Sequence, residues 1–279
     1  MIHIFLLSKI IEIYQVLKNT FTYLNMSTTN DILFSAIFSG NAGEVEKLLQ
    51  NGTDLNKKKH ACHNELTYAA SLGNPEIVQL LLRFGAKIDA WDCDGNTALM
   101  CALNMGHKDV ARILCDSGAN FKHEGNNSLT AMLCAARIGD TEMVDWLFKH
   151  GASLKGVGKR ETTPLEIAIR YGHEDTVKKI CSLGAEISGN DENYLMNAVN
   201  IESSNIVKIL IQYGADINQE HIGSTPLTCA TYNGLVDIVK ILCESGADAT
   251  LRDEDGKTAL DYAKESNCTE IVDILSHYL

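Results

Sequence analysis

The amino-acid sequence predicts an all-α fold, a solenoid of stacked helix-turn-helix units with protruding turn or hairpin tips. Three features of the 279-residue chain lead to this prediction. Glycines return at steps of 30 to 33 residues, at Gly52, Gly85, Gly118, Gly151, Gly184, Gly214 and Gly246. An apolar pair such as Leu81-Leu82 lies shortly before each of these glycines. An alanine recurs at a fixed place in every unit, at Ala36, Ala69, Ala102, Ala135, Ala168, Ala198, Ala230 and Ala263.

The unit that begins at Thr163 shows why each repeat should form two helices. Thr163 is placed to cap a helix, Pro164 suits the first helical position, and Glu166 completes a Thr-x-x-Glu capping box. This first helix runs to Gly172, and a second helix ends where Gly184 takes a left-handed conformation. Each helix has one apolar stripe, which a single pair cannot bury, so neighbouring units must stack.

The motifs in these units resemble those of the ankyrin repeat family. The family signature T-P-L-H-x-A-A-x-x-G-H is matched by Thr163-Pro164-Leu165 with Gly172-His173, by Thr97-Ala98-Leu99 with Gly106-His107, and by Thr225-Pro226-Leu227. The signature His after Leu is replaced in these units, and the sixth unit has a shorter turn. The resemblance covers residues 31–279 in about eight repeats, placed at 31–56, 57–89, 90–122, 123–155, 156–188, 189–218, 219–250 and 251–279.

Residues 1–30 precede the repeats and carry an apolar stripe at helical spacing. Their apolar run is shorter than the roughly 18 residues that a membrane span needs, and they lack the features of a signal peptide. Three interpretations are open: an amphipathic helix that covers the end of the first repeat, an untranslated leader with the true start at Met26, or a helix on a membrane surface.

Composition restricts the class of partner and the compartment. The net charge of −12 gives no global basic footprint, so nucleic acid is not expected as the main partner. The nine cysteines include no C-x-x-C pair, and a chain of this size does not need disulfide staples. These observations favour a reducing compartment, the cytoplasm, with the nucleus as the alternative. The run Lys57-Lys58-Lys59 is read as a solvated turn rather than a targeting signal.

The repeat phase also argues against catalysis and metal binding. Six cysteines fall on two repeated apolar positions and are interpreted as buried hydrophobic side chains: Cys101, Cys134, Cys229, Cys115, Cys181 and Cys243. Only Cys62 has nearby histidines, and no second ligand pair accompanies it, so no metal is expected. His107 and His173 are expected to link helix backbones. The sequence contains no catalytic or phosphate-binding motif, so we expect no enzyme activity and no cofactor.

The resemblance implies a binding surface on the concave side, built from the turn tips and the two residues before each first-helix glycine. The second of these two positions forms an apolar row, at Leu72, Met105, Ile138, Tyr171 and Ile201. The first brings Arg137 beside Arg170, near Lys159 and Arg160, and ends at Tyr232. A separate tip carries Trp91 and Asp94, and Trp is common at interface hot spots. The alternative is that the row fills space between helices and the arginines are solvated.

These features predict a non-catalytic interaction module or scaffold, which acts as an inhibitor or adaptor and holds another protein on its concave face. The expected ligand is an acidic segment with apolar anchors, bound by a monomeric chain. Two alternatives are a regulatory or targeting subunit of a separately encoded enzyme, and a membrane-peripheral adaptor that uses the N-terminal helix.

The resemblance also implies a modification site. Asn56 and Asn218 match the asparagine that ends the Gly-Ala-Asp-Val-Asn stretch in similar proteins, where asparaginyl hydroxylation is known. The competing interpretation is that asparagine stands there for its turn chemistry, and this second interpretation is favoured.

Overall fold

The computed structural model describes residues 29–55, 63–157, 161–187 and 193–279. Within these ranges it contains sixteen α-helices in pairs and no strand, only isolated β-bridges. In chain order the helices are α1 Thr29–Phe38, α2 Ala42–Gln50, α3 Glu65–Leu72, α4 Pro75–Arg83, α5 Ala98–Asn104, α6 Lys108–Asp116, α7 Ala131–Ile138, α8 Thr141–Lys149, α9 Pro164–Arg170, α10 Glu174–Ser182, α11 Tyr194–Asn200, α12 Ser204–Gln212, α13 Pro226–Tyr232, α14 Val236–Glu244, α15 Ala259–Glu265 and α16 Thr269–Ser276.

The chain divides into two compact units, Met1–Ala119 and Asn120–Leu279. In the first unit, the odd-numbered helices α1, α3 and α5 pack in succession, and so do the even-numbered helices α2, α4 and α6. In the second unit, α7 to α15 pack in the same way through the odd numbers and α8 to α16 through the even numbers. Each unit therefore has a layer of first helices and a layer of second helices, and the predicted all-α repeat fold is confirmed.

Side-chain caps fix where the first helices begin. Each N-cap side chain accepts a hydrogen bond from the backbone N–H three residues later, at Asn64, Thr97, Thr130, Thr163, Asn193, Thr225 and Thr258. The bond is reciprocated, as in a full capping box, at Asn64, Thr225 and Thr258. At Thr163 the predicted box is only half formed, because the Glu166 carboxylate pairs with Arg170 instead of returning to the N-cap.

The recurring small and apolar positions form the core. All eight recurring alanines are buried, with Ala36 5% exposed and the other seven 0%. The seven recurring glycines have φ values from 82° to 91°, a left-handed conformation that costs glycine little and that ends the second helices. The recurrence that predicted the fold thus reflects close helix packing and helix termination.

In each unit, one histidine links two consecutive repeats. The His107 imidazole donates through Nε2 to the Ser71 carbonyl oxygen at 3.0 Å, and His173 donates to the Arg137 carbonyl oxygen at 2.8 Å. The His107 ring lies against Gly73, where an added Cβ would be only 2.2 Å from Nδ1. The predicted backbone-linking role of these histidines is confirmed, and it depends on a glycine in front of the ring.

The cysteine prediction holds for five of the six repeat-phase thiols, which are buried, while Cys229 is half-buried. Burial raises the pKa of Cys134 to about 12, so this thiol is protonated at neutral pH. Cys93 is disulfide-bonded, which the expectation of a reducing compartment does not account for.

The predicted N-terminal helix and Met26 lie outside the described residues, as do Lys57-Lys58-Lys59 and Cys62. No helix in the described ranges has the length and apolar character needed to cross a lipid bilayer.

Candidate functional site

In the first unit, predicted binding residues lie at the end of α5 and at the turn before it. Met105 is 44% exposed and Trp91 is 64% exposed, and Asp94 is also exposed. Leu72, which precedes Met105 in the predicted apolar row, is half-buried. Of the predicted residues in the first unit, Trp91 and Met105 are therefore the large side chains available to a partner, and the unpredicted Ile32 and Phe38 of α1 are also exposed, at 50% and 46%.

A buried carboxylate holds the Trp91 turn in place. Asp92 is buried, and its Oδ1 accepts hydrogen bonds from the backbone N–H groups of Asp94 at 3.0 Å and Asn96 at 2.8 Å. Burial by itself would raise the pKa of Asp92, but the His63 imidazole and the two backbone N–H groups outweigh it, so the pKa is lowered. The ionised Asp92 thus anchors the turn from inside, while Trp91 projects outward.

In the second unit, two tyrosines of the predicted site are exposed, Tyr171 from the apolar row and Tyr232 from the neighbouring first positions. Tyr171, at the end of α9, is 47% exposed, and Tyr232, at the end of α13, is 72% exposed. Ile138 and Ile201, which belong to the same row as Tyr171, are half-buried. The row therefore fills space between helices at its isoleucines and presents a contact surface at Tyr171, so each of the two interpretations fits part of it.

The arginines of the predicted basic centre are less available to a partner than the sequence suggested. Arg170 forms an ion pair with Glu166 one helical turn earlier. Arg137 is half-buried, and its carbonyl oxygen accepts the bond from His173. Lys159 and Arg160 lie outside the described residues. The Arg170 charge is thus compensated within the helix, which the sequence alone did not indicate.

A pocket that the sequence analysis missed opens beside this ion pair. It has a volume of about 460 Å³ and lies entirely in the second unit, and we call it the Glu166 pocket. Its lining residues come from three consecutive repeats: Glu166, Arg170, Asn193, Asn197, Asn200, Ile201 and His221. The sequence feature that could have indicated this pocket is the set of asparagines at positions 193, 197 and 200. Their spacing of four and three residues puts them on one side of α11.

The Glu166 side chain is the unusual group in this pocket. Its side chain is only 7% exposed, and Oε1 pairs with Arg170. The other oxygen, Oε2, is buried and has no hydrogen-bond partner in the protein. Buried polar atoms are nearly always hydrogen-bonded, because leaving a charged oxygen without a donor is unfavourable. Glu166 therefore contributes to the pocket lining a carboxylate that has one oxygen without a hydrogen-bond donor.

The turn next to the pocket exposes an apolar residue that the sequence analysis did not single out. Ile222 directly follows His221, is 81% exposed and has a φ of +48°, a conformation that is strained for a β-branched residue. The turn is closed by a bridge between His221 and Ser224. The backbone N–H of Glu254, from the next repeat, donates to the Gly223 carbonyl oxygen at 3.0 Å.

The last tip of the chain uses the same internal anchor as the Trp91 turn. Asp253 Oδ1 accepts from the backbone N–H groups of Asp255 at 3.0 Å and Lys257 at 2.9 Å. The hydroxyl of Tyr262 donates to the other carboxylate oxygen, which holds the pKa of Asp253 below its usual value and raises the pKa of Tyr262 to about 12. The ring of Tyr262 packs edge-on against Tyr232, with centroids 5.6 Å apart.

Asn218, one of the two proposed modification sites, is half-buried, and its Oδ1 accepts the backbone N–H of Asp248 at 2.9 Å. This bond ties the turn to the next repeat, as the turn-chemistry interpretation expects. Asn56 lies outside the described residues. Among the residues that the structure describes, no group of three or more His, Cys, Asp or Glu side chains is arranged to hold a metal ion.

Paired helices, left-handed glycines and exposed turn tips define a helical repeat protein of the kind that binds through its surface. The chain belongs to the ankyrin repeat family. A family model described as ankyrin repeats matches it three times, over residues 32–125, 118–191 and 193–278. Ankyrin repeats are protein–protein interaction modules and are typically non-catalytic, and this describes the chain at that level.

Curated relatives share only part of their length with this chain. The E3 ubiquitin-protein ligase hecd-1 of Caenorhabditis elegans is 48% identical over 63 residues, which are 23% of this chain and 2% of the ligase. Ankyrin repeat and SAM domain-containing protein 6 of Rattus norvegicus is 37% identical over 94 residues, 32% of this chain and 11% of the relative. Protein phosphatase 1 regulatory subunit 27 of Homo sapiens is 45% identical over 51 residues, 18% of this chain and 33% of the relative. The chain thus spans a third or less of each of these relatives.

Proposed function

We propose that this chain is a non-catalytic binding module whose two units each bind partner protein at their own first-helix ends and turn tips. The observation that carries the proposal is the exposure of large side chains at these positions: 44% for Met105, 47% for Tyr171, 64% for Trp91 and 72% for Tyr232. Aromatic side chains give a large contact area at a low cost in conformational entropy and dominate interface hot spots. A surface held by packed helices also loses little freedom on binding.

The apolar part of the proposal is tested with a library of random peptides displayed on phage and selected against the full chain. We expect the selected peptides to bind at least tenfold more weakly to Tyr171→Ala, because truncation of a hot-spot aromatic residue costs about 2 kcal/mol or more. Tyr278→Ala is the matched control. Tyr278 is also 47% exposed, but it follows α16 and does not lie at the end of a first helix. Equal losses in the two variants would refute the placement of the site, and a selection that yields no binding peptide would refute the function.

The charge of the bound segment is a separate prediction. An acidic segment with apolar anchors is expected to bind the predicted basic residues Arg137, Arg170, Lys159 and Arg160, and the packing of α7 against α9, the helices that carry Arg137 and Arg170, supports it. Arg137→Glu is the better test, because reversing Arg170 would place a second carboxylate next to the buried Glu166. Lys208→Glu makes the same charge change at an exposed position on α12. Loss of binding in Arg137→Glu alone supports the acidic segment, and equal behaviour of the two variants refutes it.

A second candidate function is that the partner is an enzyme and this chain acts as its regulatory or targeting subunit. The similarity to a phosphatase regulatory subunit supports this candidate. We further propose that the chain acts in the cytoplasm and is a monomer. Light scattering coupled to size-exclusion chromatography tests the monomer, which has an expected mass of 30.6 kDa.

A further inference from the structure

The Glu166 pocket contains an acceptor whose partner the protein does not supply. The same helix position in two other repeats of the second unit shows what is missing. Thr228 and Asp261 both turn back to the N-cap residue of their own helix and complete a capping box. Glu166, a lining residue of the pocket, instead extends to Arg170, and its Oε2 is buried and unpartnered. Of these three helix positions, only that of Glu166 leaves a buried carboxylate oxygen for a ligand.

The lining of the pocket favours a positively charged donor. An anion would meet the unpartnered carboxylate oxygen, and Arg170 is already paired with that carboxylate. Hydrogen bonds with an ionised partner are about twice as strong as neutral ones, and a charged donor adds a Coulombic attraction to the carboxylate. The exposed Glu220 and Glu254, which lie on and against the adjacent turn, add negative charge on the same side. Net charge, −12 for the chain, acts in the same direction at longer range.

The size and polarity of the pocket suit a guanidinium group on an aliphatic stem. The volume of about 460 Å³ lies in the range of pockets that enclose small ligands. Half-buried Ile201 offers apolar surface for methylene groups, and the carboxamides of Asn197 and Asn200 offer further acceptors. A planar guanidinium donates in several directions at once, whereas an ammonium group is a compact point charge.

We propose that the Glu166 pocket receives an arginine side chain of the partner protein, whose N–H groups donate to the Glu166 carboxylate and to the asparagine carboxamides. The inference rests on the proposed function in one respect, that the arginine belongs to a bound protein segment. An apolar residue next to this arginine would meet the exposed Ile222, which follows the pocket residue His221. The pocket thereby specifies a basic position within the segment that the tyrosines anchor.

The test is an NMR titration of the full chain with Nα-acetyl-L-arginine amide, which does not require the natural partner. We expect saturable shifts of the side-chain amide signals of Asn197 and Asn200. The glutamine and glutamate analogues should bind about tenfold or more weakly, because they lack a charged donor. The lysine analogue should bind, but more weakly than arginine. A stronger response to the glutamate analogue would overturn the proposal in favour of an anion site.

Glu166→Gln removes the charge but keeps an oxygen for Arg170, and it should lower the arginine affinity about tenfold. Glu142→Gln, at an exposed position on α8, is the control for loss of one carboxylate and should bind as the original chain does. If Glu166→Gln does not fold, Asn197→Ala provides a second variant that should also weaken binding. Unchanged affinity in the folded variant refutes the proposal.

The outcomes also separate the two proposals. If displayed peptides bind through Tyr171 but show no enrichment in arginine and no response to Glu166→Gln, the arginine pocket is wrong and the proposed function stands. If the arginine analogue binds but no peptide depends on Tyr171, the placement of the partner segment is wrong and the pocket stands.

Discussion

The contact between Gly73 and His107 makes one prediction that the structure allows to be worked out in detail. Gly73 has a φ of +70°, and a Cβ at this position would lie 2.2 Å from His107 Nδ1. Gly106 occupies the equivalent place in the next repeat, has a φ of +78°, and has no atom within 4 Å of an added Cβ. The two glycines thus share their backbone conformation and differ in whether an imidazole ring stands in front of them.

Both substitutions to alanine should destabilise the chain, but by different amounts. A left-handed alanine costs about 1–2 kcal/mol at either site. Gly73→Ala must also displace the His107 ring and break its 3.0 Å bond to the Ser71 carbonyl, which adds about 1 kcal/mol for the bond and more for the repacking. We therefore expect Gly73→Ala to reduce the free energy of unfolding by about 1–2 kcal/mol more than Gly106→Ala does.

Urea unfolding followed by circular dichroism measures this difference, provided the variants have equal m values. The double variant Gly73→Ala/His107→Ala tests the cause, because in the absence of the ring Gly73→Ala should cost no more than Gly106→Ala. Gly139 and Gly172 repeat the comparison in the second unit. A Cβ added at Gly139 would lie 2.7 Å from His173 Nδ1, whereas one added at Gly172 would meet no atom within 4 Å. Equal costs of Gly73→Ala and Gly106→Ala, within about 0.3 kcal/mol, would refute the reasoning.

Two further predictions concern a cap and a thiol. Thr163 Oγ1 accepts the Glu166 N–H and bonds to the buried Tyr194 hydroxyl, both at 3.0 Å, so Thr163→Ala should cost about 2 kcal/mol in urea unfolding. Adding Tyr194→Phe should recover about half of this loss, and no recovery would contradict the role of the hydroxyl. Because burial raises the pKa of Cys134 to about 12, the folded chain binds more protons than the unfolded chain between pH 9 and 12, so stability should fall as pH rises through that window. Cys134→Ala should flatten this decline in pH-dependent unfolding, and an unchanged slope would contradict the assignment.

The repeat frame was predictable because each of its signals has a single local cause. A left-handed glycine ends a second helix, a small alanine permits close packing, and a threonine or asparagine caps a first helix, and these rules operate within one repeat. The histidine bridges were also predictable, since their motif brought a known geometry with it. All of these predictions agree with the structure.

The Glu166 pocket was not predictable in the same way. The Thr-x-x-Glu pattern predicted that Glu166 would return to the N-cap backbone at Thr163, because local rules favour a capping box. In the structure the Glu166 carboxylate pairs with Arg170 instead. The pocket then depends on residues from three repeats, with Asn197 and His221 brought to Glu166 by stacking, so no single repeat contains its pattern. The strain at Ile222 is likewise set by a turn that the next repeat holds through Glu254.

At two turn tips, the residue that maintains the shape of the turn is different from the residues that face outward. Asp92 and Asp253 each accept two backbone N–H groups from inside their turn, so one residue maintains the shape of each tip. The outward side chains, such as Trp91 and Glu254, contribute nothing to those bonds. Mutations at the outward positions can therefore accumulate and change the partner while the turn survives, whereas a change at either aspartate removes the platform on which such variation occurs.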